Sequence, residues 1–350
     1  MDKLLSVVVP TYNMEALLPR CLDSFILEKE DMDMLEVIVV NDGSKDSSSQ
    51  IAHEYQRRYP NTFVVLDKQN GNYGSCINAA LNMAKGEFIK ICDSDDYYYN
   101  ENLSEYLLVL KNSKADIVFS PCEVYNINGK LIKEMPAYCV KNGEVFNISE
   151  IDWRQPDVVR YDAMHCICVK TDNLRKNNYR QLEGISYTDT QFVFYAVLYS
   201  ETCAFFNKPI YKYFLGREGQ TMSLESMKKT NMHLYLNIRN MLDTYMTLEN
   251  SIPENKALLL CGSIRACFLS FTIISIANIR RSSEQIKLIQ TILEDSKNCK
   301  LPCPLNEIEN TNIIFRLWYR YHLPPFVIYY MLNFYRTIKR ELKKIIYVQR

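Results

Sequence analysis

Five short, almost wholly apolar runs recur through the first 120 residues, and each gives way to a polar loop. They occupy residues 4–9, 35–40, 62–66, 87–92 and 116–120. A strand that faces water on one side alternates apolar and polar residues. A strand covered on both faces does not, so runs of this kind predict a parallel sheet sandwiched between helices. Between the runs, residues 16–28, 47–58, 75–84 and 101–110 space their apolar side chains as helices do, and Ser75 or its predecessor can cap the third of these. The expected class is therefore α/β. In such a sheet ligands collect at the C-terminal ends of the strands, which directs attention to the loops after Val9, Val40 and Cys92.

Those three loops are unusual in composition. Ile89-Lys90-Ile91-Cys92 runs directly into Asp93-Ser94-Asp95-Asp96, placing three carboxylates within four residues. Crowded like charges raise one another's pKa unless a cation neutralises them, so the cluster suits a hard divalent ion such as Mg²⁺ or Mn²⁺. A solvated turn that caps the following helix is the plain alternative. Val7-Val8-Val9 leads into Pro10-Thr11-Tyr12-Asn13, where an aromatic ring at the sheet edge can stack on a base or simply pack on the surface. Val37-Ile38-Val39-Val40 ends in Asn41-Asp42-Gly43-Ser44, where Asp42 can accept from an imide N–H or a sugar hydroxyl, or merely open a turn with Gly43 at positive φ.

Later in the chain, Glu183-Gly184-Ile185-Ser186-Tyr187-Thr188-Asp189-Thr190 precedes a predicted helix over 188–199, and Asp189 is either a base or the N-cap of that helix. Tyr211 to Met222 forms a stretch with Gly216, Arg217, Gly219, Gln220 and Thr221, able to act as a mobile clamp or an ordinary surface loop. Residues 121–180 give no clear elements. After about residue 225 the pattern becomes long helices, over 256–279, 283–293 and 326–346.

Taken together, the Pro10-Thr11-Tyr12-Asn13 opening, the Asn41-Asp42-Gly43-Ser44 turn, Gly71-Asn72-Tyr73-Gly74 leading to Asn78, and Gly86-Glu87-Phe88-Ile89 running into the acidic cluster resemble the family 2 inverting glycosyltransferases. The resemblance spans roughly residues 4–222. It implies a GT-A fold, a Rossmann-like and mostly parallel sheet, over residues 1–222, followed by a smaller helical region over 223–350. It implies a metal-dependent enzyme that passes a sugar from a nucleotide-diphosphate donor, UDP-linked, to a hydroxyl of a glycan, polyol-polymer or lipid-linked acceptor. By position it assigns Thr11 and Tyr12 to the base, Asp42 to the uracil or equivalent ring, Asp93 to the ribose or donor sugar, and Asp95 to Mn²⁺ or Mg²⁺, with Pro10 and Ser94 also in the donor site. Glu15 and Asn78 match donor-site positions, and Arg217, Gln220 and Thr221 match the closing loop. Asp189 takes the place of the general base. The family commonly has an acidic pair there, and this chain departs from it with Thr188 in the first place.

Other classes fit less well. No G-x-G-x-x-G follows a strand, which disfavours a dinucleotide-dependent dehydrogenase, and no Gly-rich loop with a following Arg and Lys marks a nucleotidyltransferase. A non-catalytic sugar-nucleotide-binding scaffold is disfavoured by the presence of Asp95 and Asp189.

Of the 350 residues, 47% are apolar and 23% charged, enough to build a core. The net charge of zero hides a basic end: residues 315–350 hold eight Lys and Arg against one Glu. A charge so localised argues against nucleic acid as a partner. In 326–346 it lies opposite Val327, Met331, Phe334, Ile338, Leu342 and Ile345, an amphipathic face that suits a membrane surface, a second subunit or the catalytic domain. No apolar run reads as long enough to span a bilayer. The twelve cysteines are scattered and the N-terminus lacks a signal-peptide pattern, so the expectation is reduced thiols in the cytoplasm, with peripheral contact to the inner membrane face.

Overall fold

The computed structural model describes residues 3–126, 128–134, 141–154, 163–216, 224–277, 282–328 and 330–331. The chain divides into two compact units, one of residues 1–220 with 252–263, the other of residues 221–251 with 264–350.

Among the described residues the first unit has twelve strands: β1 Leu5–Thr11, β2 Leu35–Asn41, β3 Phe63–Asp67, β4 Phe88–Ile91, β5 Tyr97–Tyr98, β6 Ile117–Phe119, β7 Cys122–Asn126, β8 Leu131–Glu134, β9 Val145–Asn147, β10 Ile167–Lys170, β11 Thr202–Phe205 and β12 Tyr211–Leu215. Eight form one sheet in the order β3-β2-β1-β4-β10-β6-β11-β9. All five predicted strands lie in it. β1, β2, β3 and β4 run parallel, and every residue of β1 and β2 is buried, as unbroken apolar runs require.

The run at 116–120 does not sit beside β4. β10 wedges between them, antiparallel to both β4 and β6. A second, four-stranded sheet in the order β5-β12-β7-β8 arises largely from the stretch where the sequence pattern was weak.

Gly86 shows why the strand before the acidic loop begins where it does. A Cβ there would lie 2.3 Å from the Ser6 amide nitrogen, so only glycine lets β4 approach β1 at this point. Of the predicted helix over 16–28 only Leu18–Asp23 is helical, and a second short helix, Lys29–Met34, begins just beyond the predicted range. The Ser24 hydroxyl donates back to Cys21 O at 2.6 Å and accepts from Tyr98 N at 3.1 Å, while Asn100 Nδ2 takes up Ile26 O at 3.2 Å. Side-chain competition for the backbone closes the first helix early.

The second unit is helical. In Asn231–Leu248, the buried residues Leu234, Ile238, Met241, Leu242 and Tyr245 make a single stripe. Arg239 pairs with Asp243 and Asp295, and the Tyr245 hydroxyl donates to Lys300 O at 2.8 Å. The helix Glu254–Ala277 supplies residues to both units. Over Glu254–Ile276 its mean hydropathy of 2.0 makes it long and apolar enough to cross a membrane, which corrects the reading that no run is. Two thirds of that window is buried inside the protein, as in the core helix of a globular fold, so length and composition alone do not separate the two cases. The amphipathic segment read over 326–346 lies almost wholly outside the described residues.

Candidate active site

The strand order β2-β1-β4 puts the loops after Thr11, Asn41 and Ile91 side by side at one sheet edge. Backbone bonds lock them: Asp42 N donates to Thr11 O at 2.8 Å, and Cys92 N to Val8 O at 2.9 Å. Pro10 and Thr11 are buried at the end of β1, and the Thr11 hydroxyl turns back to Val9 O. Tyr12 is 45% exposed and presents its ring at this edge. Glu15 ties the first loop to the second, its Oε2 accepting from Ser47 N at 2.9 Å.

Asp42 is buried, and its carboxylate is already engaged. Oδ1 accepts from Lys68 Nζ at 2.7 Å and Gly71 N at 2.9 Å, and Oδ2 accepts from Asn72 N at 3.0 Å. It therefore anchors the start of the helix Asn72–Met83, and the Cys76 thiol of that helix also bonds to its carboxylate. Asn78, on that helix, spends its amide on another segment: Nδ2 donates to Gln181 O and Glu183 Oε1, and Oδ1 accepts from Gln181 N, each at 2.8 Å. Its geometry is that of a clamp holding residues 181–183 beside the helix.

The acidic loop is held from several sides. Asp93 Oδ1 accepts from the Tyr73 hydroxyl at 2.9 Å, and Asp93 N donates to the Tyr211 hydroxyl at 3.0 Å. Burial, followed by repulsion from Asp95, pushes the Asp93 carboxyl up to about 7, against the lowering effect of the Tyr73 hydrogen bond. Ser94 is buried. The main chain of Asp95 is fixed by Arg20, whose Nη2 donates to Asp95 O at 2.8 Å while its guanidinium lies 4.6 and 4.5 Å from the ring centroids of Tyr97 and Phe214. Asp96 is turned inward. Both its oxygens accept, from the Tyr211 hydroxyl and from Phe214 N at 2.8 Å each, and burial drives its pKa upward.

Beneath the loop, Lys90 is fully buried in β4 and donates to His165 O at 2.6 Å and Ile167 O at 3.1 Å. Desolvation lowers its pKa. The turn Met164–Cys166 so fastened brings the His165 ring against Tyr211 and Tyr213, with centroids 4.6 and 4.3 Å apart. Burial depresses the imidazole to about 3, so it is neutral, and its Nδ1 is buried without a hydrogen bond. One ligand atom each of Asp93, Asp96 and His165 lie within 4.8 Å of one another.

Asp189 opens the helix Asp189–Leu198. Its side chain stays accessible to water, yet the surrounding walls strip enough solvent to raise its pKa, with the helix-start amides of Thr190 and Asp189 opposing the shift. Its charge is felt by Asp93, Tyr73 and Tyr213, which places it with the acidic loop. Thr188, which stands where the family commonly has an acid, is buried, and its hydroxyl accepts from Gln181 Nε2 at 2.8 Å. Arg217, Gln220 and Thr221 lie outside the described residues.

Sequence reading missed Lys68, Tyr73, Lys90, His165 and Tyr211 as site residues. Lys90 carried a signal, as a charge inside an otherwise apolar strand, and Tyr73 and Tyr211 stood within quoted motifs without a role of their own.

Comparison with known proteins agrees with this architecture. A sequence model described as Glycosyl transferase family 2 matches residues 6–176. An uncharacterized glycosyltransferase of Mycoplasma pneumoniae is 42% identical over 97 residues, which cover 27% of this chain and 32% of that protein. The poly(ribitol-phosphate) beta-glucosyltransferase of Bacillus spizizenii is 37% identical over 127 residues, 36% of this chain and 20% of that one. The matched stretches thus span a third or less of these relatives' length. The crystal structure of S. aureus TarS 1–349, at 19% identity, superposes with a TM-score of 0.63 over 97% of this chain and 91% of that 1–349 chain. That protein is also known in complex with UDP and with UDP-GlcNAc. A GT-A-like sheet, the matched family sequence and the loops gathered at its edge agree: residues 6–176 of this chain form a domain of glycosyltransferase family 2.

Proposed function

We propose that this chain transfers a sugar, with inversion, from a UDP-linked donor to a hydroxyl of a polymeric, polyol-phosphate or glycan acceptor. The observation that carries the reading is the meeting of an acidic loop and a separate basic carboxylate. Asp93 and Asp95 stand at one sheet edge, and Asp189 comes from a helix nearly a hundred residues later yet lies within electrostatic range of Asp93. The UDP and UDP-GlcNAc complexes of TarS support the donor class, and the poly(ribitol-phosphate) glucosyltransferase of Bacillus spizizenii supports the acceptor class.

A divalent cation fits the donor set. Asp93 carries an upward-shifted carboxyl beside Asp95, the state of crowded acids that a hard cation relieves. Asp93 and Asp95 would hold the ion. Asp96 is the weaker choice, although it clusters with Asp93 and His165, because both its oxygens already accept hydrogen bonds and it is 1% exposed. When bound, Mg²⁺ or Mn²⁺ supplies charge to steady the leaving diphosphate.

The chain's own residues do the rest. Tyr12 offers a ring for the base, Asp42 sets its carboxylate at the same edge for the base's imide N–H, and the raised pKa of Asp189 makes it a better proton acceptor for the attacking hydroxyl. Inversion needs no covalent intermediate, so a single base suffices. Thr188 supports this geometry from the interior rather than sharing the proton, being buried against Gln181.

The test is turnover of a panel of nucleotide sugars with Mn²⁺, with Mg²⁺ and with EDTA. Release of nucleoside diphosphate from a UDP-sugar, lost in EDTA and restored by Mn²⁺, is the expected result. Binding without turnover across the panel would leave only a sugar-nucleotide-binding scaffold.

A further inference from the structure

β12 places Tyr211 and Tyr213 on one face of the second sheet, because side chains two residues apart share a face. Both rings pack on His165. The Tyr211 hydroxyl is consumed by the acidic loop, donating to Asp96 Oδ2 and accepting from Asp93 N. The Tyr73 hydroxyl is likewise taken, by Asp93 Oδ1 and by Met164 Sδ at 2.8 Å. Tyr213 differs: among the described residues no hydrogen bond takes up its hydroxyl, and the residue is half-buried rather than sealed.

Its surroundings say what it can do. Asp96, Asp93, Asp189 and Asp95 all act on this phenol, in that order of strength after desolvation, and together they hold it protonated. A protonated phenol beside an acidic loop whose Asp93 Oδ1 and Asp96 oxygens already accept elsewhere offers a hydrogen to whatever oxygen enters the space beside it. In a site that holds a nucleoside diphosphate, the entering oxygens are those of the distal phosphate, which would be repelled by the acids unless a cation and a donor received it.

We infer that Tyr213 donates a hydrogen bond to the β-phosphate of the bound nucleotide, and so to the leaving group of transfer. This deepens the reading above and rests on it.

Tyr213→Phe keeps the ring on His165 and removes only the hydroxyl. The experiment measures binding of UDP and of UMP by calorimetry, with Mn²⁺, to wild type and to the variant. UDP has the β-phosphate and UMP lacks it. The expected result is a loss of about tenfold in UDP affinity, the size of one charge-assisted hydrogen bond, with UMP affinity unchanged. Turnover of the UDP-sugar falls by about ten- to a hundredfold, and the melting temperature stays within about 2 °C.

Unchanged UDP affinity overturns the assignment, and so does an equal loss for UDP and UMP, which would report general disturbance of the site. If wild type prefers another base, the matching diphosphate and monophosphate replace UDP and UMP. Wild type that binds no nucleoside diphosphate sinks the nucleotide-sugar reading itself and Tyr213 with it, whereas binding that the variant does not alter sinks Tyr213 alone.

Discussion

Replacing Gly74 by alanine should weaken the first unit, and the structure sets the size of the effect. A Cβ at this position would sit 2.0 Å from Leu182 O and 2.9 Å from Leu182 C, whereas real Cβ contacts essentially never fall below 3.0 Å. One side must move by about 1 Å or more to reach an ordinary contact. The strand of chain it meets is not free to yield. Asn78, on the same helix, exchanges hydrogen bonds with Gln181 at 2.8 Å, Leu182 N donates to Gln191 Oε1 at 3.1 Å, and Gly184 N to Gly71 O at 2.9 Å. A displacement of that size breaks three or four of these bonds, at about 1 kcal/mol each. The better helix propensity of alanine returns about 1 kcal/mol. The net cost is about 2–3 kcal/mol, a fall in melting temperature of about 5–10 °C at roughly 2–4 °C per kcal/mol. Thermal unfolding followed by circular dichroism measures it, with UDP-sugar turnover as a second readout because the displaced segment leads to Asp189. A variant melting at or above the wild-type temperature would refute the steric argument.

Asp189→Asn keeps the size of the side chain but removes proton acceptance, so transfer should drop by about 10² to 10⁴ while donor affinity measured by calorimetry is retained. Wild-type activity should rise with pH through a pKa above the ordinary carboxylate range, since desolvation by the surrounding walls raises that of Asp189 and only the ionised form accepts a proton; a profile already flat from pH 4 upward would speak against it as base. Asp93 gives a stability prediction of definite sign. Its folded pKa of about 7 exceeds the unfolded value, so ionisation costs stability progressively from about pH 4 to 7 and fully above. Without metal, Asp93→Asn should therefore melt higher than wild type at pH 8 and equally at pH 4, and the reverse order in a melting series would exclude the shift. Asp95→Asn should weaken Mn²⁺-dependent UDP binding, and an unaltered Mn²⁺ titration would remove Asp95 from the ligand set.

Much of the parallel half was legible because a strand buried on both faces writes itself as an unbroken apolar run, as Val37 to Val40 do. The loops were legible because polar groups such as Asp42 and Asp93 stand abruptly after such runs. What stayed hidden depends on partners distant in sequence. Ile167–Lys170 is too short to announce itself, and its place between β4 and β6 is fixed by pairing with residues 48 to 82 positions away. Asp42 read as a ligand contact, yet Lys68 and the amides of Gly71 and Asn72 claim most of its acceptor capacity, which no local pattern reveals. His165 and Tyr211 reach the acidic loop only through tertiary packing.

The wedge formed by β10 has a consequence for how the protein comes into being. Until residues near 170 have emerged from the ribosome, β4 has β1 on one side and an open edge on the other, and Lys90 lacks the two carbonyls that receive its ammonium. An open edge of this kind invites pairing with other chains. A nascent chain halted before that point would carry every motif of the three sheet-edge loops and still expose a sticky, charged seam beneath them, so truncations there should yield aggregates rather than a small, independent domain.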